Sequence, residues 1–428
     1  MARPRLDRLQ FTAASRPLAT SSYCHASFLQ GFFLAALPFF FLLAHYGRVT
    51  AFSPDFWSVQ MSTADLSIEV NGMQFENPFI LASGPPGTNG KVISKSFDLG
   101  WGGCVIKTIS LDASKVINTN PRYAKMKWTN GDVIGFENIE LISDRPFDVW
   151  LDELRELKAK HPTKILIASI MEEYAKDRWQ EITERVQETG VDAFELNLSC
   201  PHGLPERKMG MAMGSNPDIV EEVTGWVKEV ANIPVWAKMT PNVGDPRSSA
   251  EAALASGADG IALINTILSV LEVNLKTLKP MPTVEGHTVP GGYSGVAVRP
   301  IALRHVMEVA RAFPNTAISG MGGINTGGDA AQFMLLGSHT VQVCTGAMVQ
   351  GYGVIQKMKE ELQAFMDDHG FTRLTDFIGM ALSSFTTHAD LVARQRAAKV
   401  AKAGKGNLDD KTWQGDIASE TTSLTANE

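Results

Sequence analysis

From Asn77 onward, short apolar runs that end in polar or glycine-rich turns alternate with longer amphipathic segments. Eight such runs recur: Phe79–Ala82, Gly103–Lys107, Lys164–Ser169, Ala193–Leu198, Val235–Lys238, Gly260–Ile264, Thr316–Ser319 and Thr340–Val343. Each is too short and too rich in β-branched residues to be a helix, whereas intervening stretches such as Asp218–Val230 and Arg299–Ala312 repeat their apolar positions at helical spacing. Eight strand–helix repeats predict an α/β fold, a (β/α)8 TIM barrel whose functional site lies at the C-terminal ends of the strands. The barrel domain is expected over 61–383, after a leader over 1–60 and before a helical, then irregular, tail over 384–428.

Two connections are longer than ordinary loops, Asp112 to Arg145 after the second run and Ile267 to Val298 after the sixth. On the catalytic face such loops build the pocket or its lid. The tail carries Arg394, Arg396, Lys399 and Lys402 at helical spacing, then turns polar and acidic. A solvated basic helix face is the expectation, and docking to an acidic partner the alternative.

The 428 residues are 44% hydrophobic and carry a formal net charge of −7, which argues against a nucleic-acid binder with a clustered positive surface. Cys24, Cys104, Cys200 and Cys344 are scattered without a CxxC pair, so neither a disulfide framework, a metal site nor an iron–sulfur cluster is indicated. The first residues differ in kind. Arg3, Arg5, Arg8 and Arg16 precede an apolar stretch from Gly31 to Ala44, and Val49-Thr50-Ala51 has the small-residue spacing of a signal-peptidase site. The apolar stretch is short for a membrane span and contains Pro38, so removal is expected and no stable anchor remains. Phe52 after that site is similar to the bipartite plastid leaders of algae with complex plastids, which predicts a plastid location; translation from Met61 would give a leaderless cytoplasmic protein. Secretion is disfavoured, because Asn197-Leu198-Ser199 would be a glycosylation sequon in the secretory lumen.

The ends of the predicted strands hold a chemically coherent set. Asn197-Leu198-Ser199-Cys200-Pro201-His202 places a thiol among amide and hydroxyl groups where a barrel puts its reactive side chains; a buried structural cysteine is the alternative. Lys107 and Lys238 bring two ammonium groups into the barrel mouth, costly unless an anion or an electron-rich ring compensates them. Ala82 and Ser83 supply small residues, Asn265 and Thr266 an amide and a hydroxyl. Two glycine-rich turns, Gly291-Gly292-Tyr293-Ser294-Gly295 and Gly320-Met321-Gly322-Gly323, are expected to offer backbone N–H groups to a phosphate, the second beside the start of a helix at Gly328–Leu336. Cys344-Thr345 at the eighth strand would complete the cup, and the whole suits flavin mononucleotide, FMN.

These motifs, with Phe136-Glu137-Asn138-Ile139-Glu140-Leu141-Ile142-Ser143 and Ala237-Lys238-Met239-Thr240-Pro241-Asn242, resemble the flavin-binding pyrimidine domain of dihydropyrimidine dehydrogenase, within the class 1 dihydroorotate dehydrogenase superfamily; the resemblance covers about Leu66 to Asp368. It implies that Asn138, Glu140, Asn197, Ser199, Asn265 and Thr266 hold a pyrimidine ring. It further implies that Cys200 protonates C5 while reduced flavin delivers hydride to C6 of uracil or thymine. Lys107 and Lys238 would contact the flavin, with Ala82, Ser83, Gly295, Gly322, Gly323, Cys344 and Thr345 about its ribityl chain and phosphate, and no metal is required. A cysteine with a reference pKa of about 8.5 keeps its proton at neutral pH, as a general acid must.

Glu140, and His202 where the dihydroorotate branch usually has Asn, favour a neutral ring over one bearing a carboxylate, which an acidic wall would repel. The rivals are a dihydroorotate dehydrogenase of pyrimidine synthesis and a tRNA-directed flavin barrel. Relatives of this kind draw electrons from NAD(P)H through iron–sulfur or flavin modules that this sequence does not display. A separate flavoprotein or iron–sulfur subunit is therefore the expected donor, and a homo-oligomer the expected assembly.

Overall fold

The computed structural model describes residues 64–201 and 209–402. The leader and its cleavage site, the end of the tail, and His202 lie outside the described residues. The chain divides into Met1–Gln60 and Met61–Glu428, and the described residues belong to the second.

Eight strands, β1 (Phe79–Leu81), β2 (Gly103–Val105), β3 (Ile165–Ile170), β4 (Ala193–Asn197), β5 (Val235–Lys238), β6 (Gly260–Leu263), β7 (Ala317–Met321) and β8 (Thr340–Val343), close into one parallel barrel in sequential order. Each is followed by its helix: α1 (Gly90–Asp98), α2 (Phe147–Lys160), α3 (Lys176–Gln187), α4 (Pro217–Lys228), α5 (Arg247–Ala255), α6 (Arg299–Ala312), α7 (Gly327–Leu335) and α8 (Val354–His369). All the strands expected from the apolar runs are present. β2 stops at Val105, short of Lys107, because the Lys107 N–H leaves the ladder for the Gly87 carbonyl at 2.8 Å. That detour turns the Lys107 side chain into the mouth of the barrel.

The helices obey simple local rules. In α3 the buried positions Trp179, Ile182, Thr183 and Val186 recur at one-turn spacing and form the face laid against the barrel. α4 starts where Pro217 occupies the first turn and the Asn216 side chain accepts the Asp218 N–H at 3.1 Å. Each large side chain taken fully out of water on such faces contributes roughly 1.5–3 kcal/mol. At the other end of the barrel a hairpin, Ile68–Val70 with Met73–Phe75, turns through Asn71 and Gly72, both at positive φ, and buries Phe75 against the start of β2.

Above the opposite, C-terminal face the two long excursions fold together. Strands Tyr123–Lys127 and Val133–Asn138 come from the first, Ile267–Ser269 and Gly291–Gly295 from the second, and they form one four-stranded antiparallel sheet. Gly291–Gly295 is thus a strand, where the sequence suggested a phosphate-binding turn. Its glycines answer a packing demand: a Cβ on Gly291 would lie 2.3 Å from Glu137 Cγ, and one on Gly292 would lie 2.1 Å from Thr266 Oγ1. This sheet roofs the cleft. In the tail, helix His388–Lys402 is exposed over most of the part whose side chains are described, with Asp390 and Val392 half-buried.

Candidate active site

Between roof and barrel lies a cleft whose empty volume, open solvent included, is about 1080 Å³. Ala82, Ser83, Lys107, Asn138, Glu140, Asn197, Cys200, Lys238, Asn265, Thr266, Gly295, Gly322, Gly323, Cys344 and Thr345 all line it. Ser199 alone among the expected residues lies behind the wall, fully buried.

The β4 wall is a hydrogen-bonded chain. Asn265 Nδ2 donates to Ser199 Oγ at 2.9 Å, Ser199 Oγ donates to Asn197 Oδ1 at 3.2 Å, and Asn197 Nδ2 donates to Thr108 Oγ1 at 2.9 Å. Thr108 Oγ1 is further linked to Ser169 Oγ at 2.8 Å and Ser83 Oγ at 3.2 Å. Such a chain fixes which end of each amide faces the cleft. On the roof, Asn138 Nδ2 donates to the Gly292 carbonyl at 2.9 Å, tying its strand to the next. Cys200, three residues beyond the end of β4, is buried in a small apolar cluster with Ile142, Met171 and Met209. Gly210 allows the chain to return against it: at φ 58° a Cβ there would stand 2.5 Å from the Cys200 carbonyl.

The two lysines do not wait for a ligand to compensate them. Lys107 Nζ meets Glu140 Oε2 at 2.6 Å, and Lys238 Nζ meets Glu195 Oε1 at 3.0 Å. Glu140 also takes Arg122 Nη1 at 3.0 Å and a short hydrogen bond from the Tyr123 hydroxyl, while Arg122 reaches Asp144 at 2.7 Å. Burial works against the Glu140 charge, yet Lys107, Tyr123 and Arg122 together hold its carboxyl below the usual range. Burial and the same carboxylate push the Tyr123 phenol up. Glu140 is therefore a compensated anion, and the expectation that it would repel a substrate carboxylate loses its physical basis.

Near β7 and β8, Gly322 and Gly323 have φ of 131° and 73°, and Thr345 Oγ1 donates to Ser294 Oγ at 2.8 Å. The short helix Thr345–Gln350 opens without a side-chain cap. The start of α7, by contrast, is already satisfied: Asn325, Gly327 and Asp329 donate their N–H groups to Asp329, Glu361 and Thr326 side chains at 2.9, 2.7 and 3.0 Å. Burial pushes the Cys344 thiol up to about 11, the nearby Lys238 and Lys107 notwithstanding, so it stays protonated at neutral pH.

Tyr123, Phe136, Tyr293, Met321, Gln342 and Met348 also line the cleft and were not anticipated, nor were Arg122 and Glu195. Of these, Glu195 had a sequence signal, a lone charge inside an apolar strand.

A family profile described as "Dihydroorotate dehydrogenase" matches residues 65–366. The chain belongs to the dihydroorotate dehydrogenase family. It is 52% identical over 383 residues to "Dihydropyrimidine dehydrogenase (NADP(+)), chloroplastic" of Arabidopsis thaliana, covering 86% of this chain and 90% of that one. Over 336 residues it is 42% identical to "NAD-dependent dihydropyrimidine dehydrogenase subunit PreA" of Escherichia coli (strain K12), covering 77% and 80%. A "Dihydroorotate dehydrogenase B (NAD(+)), catalytic subunit" of Pyrococcus abyssi is 33% identical over 318 residues, covering 74% and 99%. A crystal structure of dihydroorotate dehydrogenase from Eimeria tenella in complex with ferulenol superposes with a TM-score of 0.62 at 21% identity, over 75% of this chain and 90% of that one, which shows the shared fold. Membership in this family makes the chain an oxidoreductase and implies a flavin cofactor.

Proposed function

We propose that the chain reduces the 5,6 double bond of uracil or thymine with FMN as its cofactor. The observation that carries this reading is the thiol of Cys200 at the end of β4, on the same cleft as the amides and hydroxyl of Asn138, Asn197, Asn265 and Thr266. Amides offer both donors and acceptors, as the lactam edges of a pyrimidine require, and a site built of them rejects rings that lack those edges. Glu140 has about four acceptor positions. Lys107, Tyr123 and Arg122 occupy three, which leaves one on Oε1 for a ring N–H. Ser199 acts from behind, orienting Asn197 and Asn265.

The residues present fit FMN. Lys107 and Lys238 present N–H donors whose charge their carboxylate partners offset, Ser83 and Thr345 present hydroxyls, and Gly322 and Gly323 leave their stretch of the wall free of side chains. When bound and reduced, the flavin supplies the hydride that C6 of the ring receives. Cys200 Sγ gives its proton to C5, and the thiolate regains one from solvent. Among the described residues no helix is long and apolar enough to cross a membrane. Electrons from NAD(P)H arrive through a separate flavoprotein or iron–sulfur subunit, in keeping with the word "subunit" in the bacterial relative's name, and the plant relative's "chloroplastic" supports a plastid location.

Replacing Cys200 by Ser should slow pyrimidine reduction by about 10²–10⁴-fold with flavin still bound. Rapid-reaction measurement of flavin reoxidation by uracil reads the step directly. An unchanged rate would remove Cys200 from the mechanism.

A further inference from the structure

The centre of the barrel holds a polar bridge whose carboxylate the proposed reaction leaves unassigned. Glu195 is fully buried in the middle of β4, between Phe194 and Leu196. Its Oε1 accepts from Lys238 Nζ on the neighbouring β5 at 3.0 Å, and its Oε2 accepts from Gln342 Nε2 at 2.8 Å. Gln342 belongs to β8, which lies across the ring from β4, so this bond crosses the barrel interior. Gln342 Nε2 also reaches Ser319 Oγ at 3.2 Å, which sets the amide with its NH2 toward the carboxylate and leaves Oε1 as the atom without a partner. Lys238 and Gln342 both line the cleft, whereas Glu195 stands behind them.

A carboxylate taken wholly out of water is expensive to keep, and its partner lysine would be equally expensive alone. The arrangement makes sense if the site needs Lys238 fixed and protonated but not acting as a net positive charge. Reduction places negative charge on a flavin ring. A bare ammonium beside it would stabilise the reduced form and weaken it as a hydride donor. We propose that Glu195 is a positioning residue: it holds Lys238 against the flavin, cancels its charge, and so keeps the reduction potential of the bound flavin low. Gln342 shares the same carboxylate and braces it from the far side of the barrel. This rests on the FMN reading.

The test is the two-electron midpoint potential of the bound flavin, by dye equilibration, together with the FMN dissociation constant. Glu195→Gln should shift the oxidised-to-reduced ratio at a fixed potential at least tenfold toward reduced, about 30 mV for a two-electron couple. If Glu195→Gln does not fold, the double variant Glu195→Gln/Lys238→Met removes the buried charge and remains decisive. Because the native pair is neutral, its ratio should change by less than threefold. An unchanged potential in Glu195→Gln, or a tenfold shift toward oxidised flavin in the double variant, would overturn the proposal. Wild-type protein that binds no FMN would instead overturn the cofactor reading itself, so the two failures are distinct.

Discussion

Two lysine–carboxylate pairs flank the cleft, and they are built differently. The floor pair, Lys238–Glu195, joins adjacent barrel strands and is almost wholly out of water, at 5% and 0% exposure. The roof pair, Lys107–Glu140, joins a barrel loop to an excursion, and its carboxylate is shared with Tyr123 and with Arg122, which is 34% exposed. The floor is fixed by the same backbone ladder that closes the barrel. The roof depends on a loop folding back, with solvent and Asp144 available to any group that loses its partner. A site that must hold a cofactor rigidly and admit a substrate gains from that division.

The largest effect should come from breaking the floor. Glu195→Ala leaves an unpaired buried ammonium and should cost about 3–5 kcal/mol in denaturant unfolding. The same operation on the roof, Glu140→Gln, should cost roughly 1.5–3 kcal/mol, because water and Asp144 can still serve Lys107 and Arg122. If the two losses were equal, the contrast between floor and roof would be wrong. Titration sharpens it. The Glu140 carboxyl is depressed in the folded protein, so its contribution is present above the unfolded value of about 4.3 and is lost as pH falls through the lower native value. Stability curves of wild type and Glu140→Gln should therefore converge on acidification.

Smaller still, Tyr123→Phe removes one charge-assisted hydrogen bond from the roof and should cost about 1.5 kcal/mol, the low end for a bond to a charged group, while raising the Glu140 pKa. Lys176→Ala, which removes an ion pair between exposed side chains on the outer helices, should leave the unfolding midpoint where it is.

The barrel was legible because its strands are dense apolar runs and its helices repeat at one-turn spacing, signals that do not depend on what lies across the fold. The cleft was legible because strand ends in a parallel barrel converge, so Lys107, Asn197, Cys200, Lys238, Asn265 and Cys344 had one place to meet. The roof was not. Its sheet pairs Gly292 with Asn138, strands far apart in the chain, and glycines that read as a turn are there to let Glu137 and Thr266 approach. The partners of the lysines followed the same divide, since Glu140 reaches Lys107 only once the excursion has folded. Two signals were present and unused: the lone Glu195 in its apolar strand, and Thr326 three residues before Asp329, a spacing that marks a helix start able to cap itself.

The central claim is that the cleft acts on uracil or thymine; with Glu140 compensated, that choice over orotate rests on the likeness to the dihydropyrimidine dehydrogenases. The direct measurement is anaerobic: add dihydrouracil or dihydroorotate to the flavin-loaded protein and follow the yellow absorbance. Bleaching by dihydrouracil and not by dihydroorotate is the expected result. Bleaching by dihydroorotate alone would place the chain with the dihydroorotate dehydrogenases and contradict the account.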